Sequence, residues 1–381
     1  MDIFPKKKLG FGLMRLPLTD PDDGGSIDIE LCKKMVDRFM ERGFTYFDTA
    51  WMYCDFRSEN AVKEFLVDRY PRDSFTLTTK LHSRYFDTKD GPEEIFNEQL
   101  RKTGAGYFDY YFIHNIGKES YQKYTELGCF EWLKQKKASG AVRHIGFSFH
   151  DTAEMLDKVL TEHPEMEFVQ LQLNYLDWES SAIQSRLCYE TAERHGKNVI
   201  VMEPVKGGTL AKVPGKVEQA FREVQPEMSV ASWGIRFAAS LPNVKVVLSG
   251  MSSLEQMEDN TGFMSDFVPM SEREVALCHK AAEAINDFAS IPCTGCAYCV
   301  PGCPMSIPIP RCFALYNAEI QQAENEGWKS QGQYYERLTM EKGKAGSCIS
   351  CGQCENVCPQ HLPIREHLRT VSKYFDGKSF L

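Results

Sequence analysis

Eight of the fourteen cysteines fall into two copies of one spacing near the C-terminus. The first copy is Cys293, Cys296, Cys299 and Cys303, followed by Pro304. The second is Cys348, Cys351, Cys354 and Cys358, followed by Pro359. Each reads C-x2-C-x2-C-x3-C-P, the ligand run of a bacterial-type iron–sulfur centre. Thiolates are soft ligands that suit such centres, and two residues between cysteines let a looping backbone present three sulfurs to one cube. The fourth cysteine of each run commonly ligates the other cluster. The expected sets are therefore Cys293, Cys296, Cys299 and Cys358 on one 4Fe–4S cube, and Cys348, Cys351, Cys354 and Cys303 on the second. Zinc favours two separated C-x2-C pairs and fits this duplicated eight-thiol pattern poorly. A disulfide framework belongs to oxidising compartments, for which nothing else in the chain speaks.

A second group of residue types could move a proton. Asp48 and Tyr53 stand in one short segment, Lys80 ends another apolar run, and His114 a third. A free phenol has a pKa near 10, too high to donate readily at neutral pH. A nearby ammonium lowers it by favouring the phenolate. Asp48 is expected to hold Lys80 charged, and Tyr53 to protonate a carbonyl oxygen as hydride reaches the carbon. His114 is expected to donate a hydrogen bond to the same oxygen.

These residues need a frame that brings them together. Eight strand-like runs are legible: Leu9–Met14, Phe44–Asp48, Phe75–Lys80, Asp109–His114, His144–Ser148, Phe168–Gln172, Val199–Glu203 and Lys245–Ser249. Helix-like stretches lie between them, among them Asp28–Arg42, Ser58–Arg69, Pro92–Thr103 and Ala182–His195. Eight strands alternating with helices predict an α/β fold, the parallel (β/α)8 or TIM barrel. Such barrels carry their chemistry at the C-terminal ends of the strands, where Asp48, Lys80 and His114 fall. Two more helix-like stretches follow, Ser253–Asn260 and Ser271–Ala289. The boundary is placed near residue 290, giving a barrel over 1–290 and a smaller cysteine domain over 291–381. Residues 304–347 separate the two cysteine runs and carry helix-like Phe313–Glu324 and Gln333–Lys342. Cys312 lies outside both runs and reads as a buried structural cysteine.

The barrel resembles an aldo/keto reductase. The matching segments are FDTAWMY (Phe47 to Tyr53), TTK (Thr78 to Lys80), YYFIHN (Tyr110 to Asn115), LGFGLMRLP (Leu9 to Pro17) and SGAVRHIGFS (Ser139 to Ser148). They cover roughly residues 5 to 265, in the family's order. The resemblance implies a catalytic tetrad of Asp48, Tyr53, Lys80 and His114. It also implies a nicotinamide cofactor, normally NADPH, bound without a Rossmann fold. Ser148, Gln170 and Asn174 match positions around the nicotinamide carboxamide. Where the family usually has Tyr-Ser-Pro, this chain has Met202, Glu203 and Pro204, so a thioether and a carboxylate replace a stacking ring. Lys206, Gly207, Ser249, Gly250 and Ser252 follow strands seven and eight, the usual phosphate-binding region. No basic residue for an adenosine 2′-phosphate is evident there, which leaves NADP(H) and NAD(H) open. Trp51, Phe56, Tyr85, Phe86 and Trp178 are candidates for an apolar wall at the mouth or for ordinary rim packing. The cysteine domain resembles a ferredoxin of the mainly helical kind.

Composition narrows the function class. A net charge of −9 argues against nucleic acid as a main partner. No apolar stretch long enough to cross a membrane is present, and no signal-peptide pattern follows Lys6–Lys8. Cytoplasmic residence is the expectation. The reading is an oxidoreductase of a small carbonyl or alcohol substrate, joined to two one-electron centres. Two alternatives stand beside it. In one, the clusters serve as an electron-transfer module feeding a flavin or redox substrate in the barrel from a ferredoxin-like partner protein, although no flavin motif is readable. In the other, the chain is an adaptor whose barrel is a binding scaffold.

Overall fold

The computed structural model describes residues 4–286, 290–293, 295, 297–321, 331–358 and 360–378. Eight parallel strands close into a barrel in sequence order. They are β1 (Leu9–Gly12), β2 (Tyr46–Asp48), β3 (Thr76–His82), β4 (Phe108–Ile116), β5 (Val142–Phe149), β6 (Phe168–Gln172), β7 (Asn198–Met202) and β8 (Val244–Gly250). The strands are buried on both faces, the pattern expected when helices cover a parallel sheet. β3 and β4 run two residues beyond their expected ends.

Inside the barrel, large side chains from the even-numbered strands do most of the filling. Tyr46, Tyr110, Phe112 and Phe168 pack together with Phe4 beneath them. The neighbouring β5 makes room with glycine. A methyl on Gly146 of β5 would stand 2.4 Å from the Phe168 ring. A second apolar layer joins the outer strand faces to the helices. Asp28 caps the first helix, its carboxylate accepting from the backbone N–H of Leu31 at 2.9 Å, so the chain turns where the sequence signals it. The expected single helix over 58–69 is instead split, with Ser58–Val62 followed by a wider π turn over Lys63–Val67.

The C-terminal domain is mainly helical, with helices Ile309–Gln321, Gln331–Thr339 and Ile364–Phe375. It has its own core around Phe313, Tyr335, Leu368 and Phe375. Ala182 and Ile183, from the loop after β6, belong to that core, and Arg311 donates to the Ala182 carbonyl at 3.4 Å. The domain is therefore seated on the barrel's loops at the C-terminal ends of its strands. Among the described residues, no helix is long and apolar enough to cross a membrane.

Candidate functional site

Lys80 is the hub of the barrel mouth. It is fully buried, and its Nζ donates to Asp48 Oδ1 at 2.5 Å, to the Thr49 carbonyl at 2.8 Å and to Tyr53 Oη at 3.3 Å. The Tyr53 and His114 rings meet edge to face with centroids 6.2 Å apart. The four residues named from the sequence thus form one cluster. His82 joins it, its ring 5.1 Å from that of His114.

Burial dominates the electrostatics. It works against the Lys80 ammonium, but Asp48 and Tyr53 outweigh it and hold the Lys80 pKa above its ordinary value. Burial likewise pushes Asp48 upward, opposed by the ammonium beside it; at 2.5 Å the pair is a carboxylate and an ammonium. Tyr53 corrects the sequence expectation. Burial raises its pKa, and the pull of Lys80 does not bring it below the ordinary value because the Asp48 and Glu203 carboxylates also oppose ionisation. Tyr53 is thus a protonated donor at neutral pH. Burial, reinforced by His82, Lys80 and His150, holds His114 far below the ordinary imidazole range, so it is neutral.

A polar network behind β3 fixes this hub, and sequence reasoning did not find it. Glu59 Oε1 accepts from Thr79 Oγ1 at 2.8 Å and from Gln99 Nε2 at 2.7 Å. Gln99 also donates to the Lys80 carbonyl at 3.1 Å and accepts from the Tyr111 hydroxyl at 2.6 Å. Tyr124 bridges the two strands, its single hydroxyl hydrogen shared between the carbonyls of Leu81 (3.0 Å) and His114 (2.7 Å). Glu59 sits at an apolar-face position of a helix, and that conflict was the only available signal.

The candidate cofactor residues divide. Ser148 and Gln170 are register partners on β5 and β6, both buried, and the Ser148 hydroxyl accepts from the backbone N–H of Asn115 at 2.7 Å. That leaves its O–H free to point elsewhere, and two adjacent amide-binding groups at a strand end suit a carboxamide. Asn174 instead donates to Asp177 at 2.8 Å and to the Glu203 carbonyl at 3.0 Å. Lys206 is buried with its ammonium on the Asp177 carboxylate. The loop after β6 folds back here and supplies a counter-ion that local sequence did not show. Met202 ends β7, and Glu203 follows in a left-handed conformation with φ of 57°. Burial raises the Glu203 carboxyl pKa, moderated by Arg15. Gly207 and Gly208 are also left-handed. At the end of β8, the Ser249 hydroxyl accepts from Asn260 at 2.8 Å, and just beyond it Ser252 donates to the Arg15 carbonyl at 2.7 Å. Gly250 lies between them, with Arg15 packed so closely that a methyl there would meet its side chain at 3.3 Å. Arg15, from the loop after β1, is the cation of this region that sequence reading passed over.

Of the five rim aromatics, Phe56 and Tyr85 pack edge to face at 5.5 Å, and Tyr85 meets His82 at 5.7 Å. Trp51 lies against Lys102, and Trp178 against Tyr189 and Phe237, both in outer helix packing.

The cysteines line two cavities. Cys293, Cys299 and Cys358 line the first, and Cys303, Cys348, Cys351 and Cys354 the second. The last member of each run thus crosses to the other site, and Ile309 forms a wall of both. Cys296 and Pro359 lie outside the described residues. Among the described residues, no three His, Cys, Asp or Glu side chains are gathered tightly enough for a single metal ion. Thiols placed around a cavity are suited to a multi-iron cube, in which each binds a different corner. Cys312 is buried in the domain core, where burial lifts its thiol to about 12.

A closed parallel barrel with an acid, an amine, a phenol and an imidazole at its mouth, joined to a two-centre cysteine domain, defines a barrel oxidoreductase carrying an iron–sulfur module. Residues 8–283 match the aldo/keto reductase family, and residues 292–362 match the 4Fe-4S dicluster domain. The chain belongs to the aldo/keto reductase family, with a 4Fe-4S dicluster domain fused behind the barrel. A Bacillus subtilis (strain 168) relative, the uncharacterized oxidoreductase YqkF, is 24% identical over 256 residues, covering 59% of this chain and 79% of its own. Among solved structures, the holo form of aldo-keto reductase AKR11C1 from Bacillus halodurans superposes with a TM-score of 0.59 at 22% identity, covering 74% of this chain and 95% of its own. An aldo-keto reductase from Klebsiella pneumoniae in complex with NADPH gives 0.58 at 20% identity, covering 72% and 90%.

Proposed function

We propose that the barrel interconverts a small carbonyl compound and its alcohol with a nicotinamide cofactor, Tyr53 serving as acid and base. The observation that carries this reading is the Lys80 ammonium held between Asp48 and Tyr53, beside a neutral His114. A bound reduced nicotinamide would supply a hydride to the carbonyl carbon. Ser148 and Gln170 are the residues suited to hold its carboxamide, with Gly207, Gly250 and Arg15 toward its phosphates. His114, neutral, has one N–H to orient the substrate oxygen. Tyr53 Oη passes its proton to that oxygen. The resulting phenolate forms 3.3 Å from the Lys80 ammonium, which stabilises charge only as it develops. The NADPH-bound neighbour supports a pyridine nucleotide and leaves its 2′-phosphate open.

The two cysteine cavities are suited to hold one 4Fe–4S cube each, giving the domain a one-electron capacity beside the two-electron barrel. A redox partner protein is the natural source or sink of such electrons. Tyr53→Phe tests the barrel assignment. Turnover is expected to fall by a factor of about 10² or more, with cofactor affinity nearly unchanged. An unaltered rate would sink it.

A further inference from the structure

The Gln331–Thr339 helix of the cysteine domain reaches the barrel mouth beside His114. Its target is Asn115, the next residue, a non-glycine held at φ of 60°. Every polar group of Asn115 is engaged. Its N–H donates to Ser148 Oγ at 2.7 Å, and its carbonyl accepts from Ser120 Oγ at 2.8 Å and from Arg337 at 3.1 Å. Its side-chain oxygen accepts from Arg337 at 2.8 Å, and its amide donates to Gln333 at 3.3 Å. Arg337 also donates to the His150 carbonyl at 2.6 Å, joining the ends of β4 and β5. The neighbouring Tyr334 ring packs on the His150 ring at 5.7 Å. Gly117 makes room for the guanidinium, since a methyl there would fall 2.5 Å from Arg337 Nε. Two barrel strand ends, carrying His114 and Ser148, are thus fastened by one arginine from the other domain.

The helix that carries Arg337 lies inside the spacer between the cysteine runs. Cys303 immediately precedes that spacer and Cys348 immediately follows it, and both thiols line the second cavity. Joining them through one cluster closes the 304–347 segment into a loop. Such a closure would remove conformational freedom from the unfastened chain and so would favour the seated position of the Gln331–Thr339 helix.

We propose that the second cysteine site is a staple for the barrel's active site. Closing the spacer seats Arg337, and Arg337 acts as a positioning residue for Asn115, and through it for His114 and Ser148. This rests on the proposed reductase reading for its catalytic consequence, but not for its structural one. Misplacing a catalytic group by about 1 Å is enough to cost a factor of roughly 10² in rate, so Arg337→Ala is expected to lower turnover by about tenfold or more.

The test is amide hydrogen exchange on the anaerobically prepared, cluster-loaded full chain, compared with Arg337→Ala, Gly117→Ala and Cys303→Ala. Gly117→Ala displaces the arginine without touching the cysteine domain and guards against a poorly folded arginine variant. All three are expected to speed exchange by about tenfold or more over residues 114–118 and 148–151, with β7 unchanged, and Arg337→Ala combined with Cys303→Ala is expected to add nothing further. Unchanged exchange in both Arg337→Ala and Gly117→Ala overturns the positioning role. Unchanged exchange in Cys303→Ala overturns the staple. The exchange readout does not depend on turnover, so failure of the tetrad assignment, seen as full activity in Tyr53→Phe, is distinguishable from failure of this proposal.

Discussion

Replacing Lys80 with methionine separates the stability of the hub from its chemistry. Lys80 and Asp48 are 0% and 3% exposed at the side chain, and their contact is 2.5 Å. Methionine keeps much of the stem volume and removes the charge, leaving the Asp48 carboxylate buried without its ammonium. Breaking one half of a buried pair costs about 3–5 kcal/mol. At about 2 °C per kcal/mol for a barrel of this size, the melting temperature is expected to fall by about 6–10 °C, read by calorimetry. Turnover is expected to be lost as well, because the Tyr53 phenolate would form without its ammonium. Adding Asp48→Asn removes the stranded carboxylate and is expected to recover most of the stability and none of the turnover. The sign of the pH dependence is fixed too. The folded Lys80 pKa lies above its ordinary value, so its contribution is complete below a pH of about 10.4 and is lost only as pH rises through the folded value. A stable, active Lys80→Met protein would refute the hub.

Glu274 is a second buried carboxylate. Burial raises its pKa, but the Ser271 N–H, Arg236 and Gln225 more than offset this and bring it to about 2. A depressed carboxylate stabilises above its unfolded pKa and loses that contribution as pH falls. Glu274→Gln is therefore expected to cost about 2–3 kcal/mol at pH 7 and progressively less from about pH 5 toward pH 2 in urea titrations. Gly146→Ala pushes a methyl toward the Phe168 ring in the barrel interior, and a loss of about 1–3 kcal/mol is expected from the same measurement. Anaerobically purified protein is expected to carry about eight irons per chain. After cluster removal it is expected to bind NADPH or NADH and to show no flavin band near roughly 450 nm; a stoichiometric flavin would favour electron delivery into the barrel over hydride chemistry.

The barrel was legible because parallel strands buried on both faces must be written as apolar runs, and eight such runs stand in order. The clustering of Asp48, Tyr53, Lys80 and His114 was legible because strand ends define the mouth, and the expected strand ends placed Asp48, Lys80 and His114 there. The exchange of Cys303 and Cys358 followed from the duplicated spacing. Other features rest on contacts between distant segments. The ion pair of Lys206 is invisible locally because its counter-ion, Asp177, comes from another loop. The Tyr53 shift was misjudged because the sequence displays the neighbouring charge but not the loss of water that outweighs it. Arg337 and Asn115 lie 222 residues apart, and no local pattern marks an arginine that serves another domain.

The traded cysteines set an order of assembly. Until Cys358 has been synthesised, the first cavity lacks one of its lining thiols, and the second takes Cys303 from the earlier run. Neither half of the tail can complete a site by itself. Any cluster held in either cavity therefore draws on thiols from both cysteine runs.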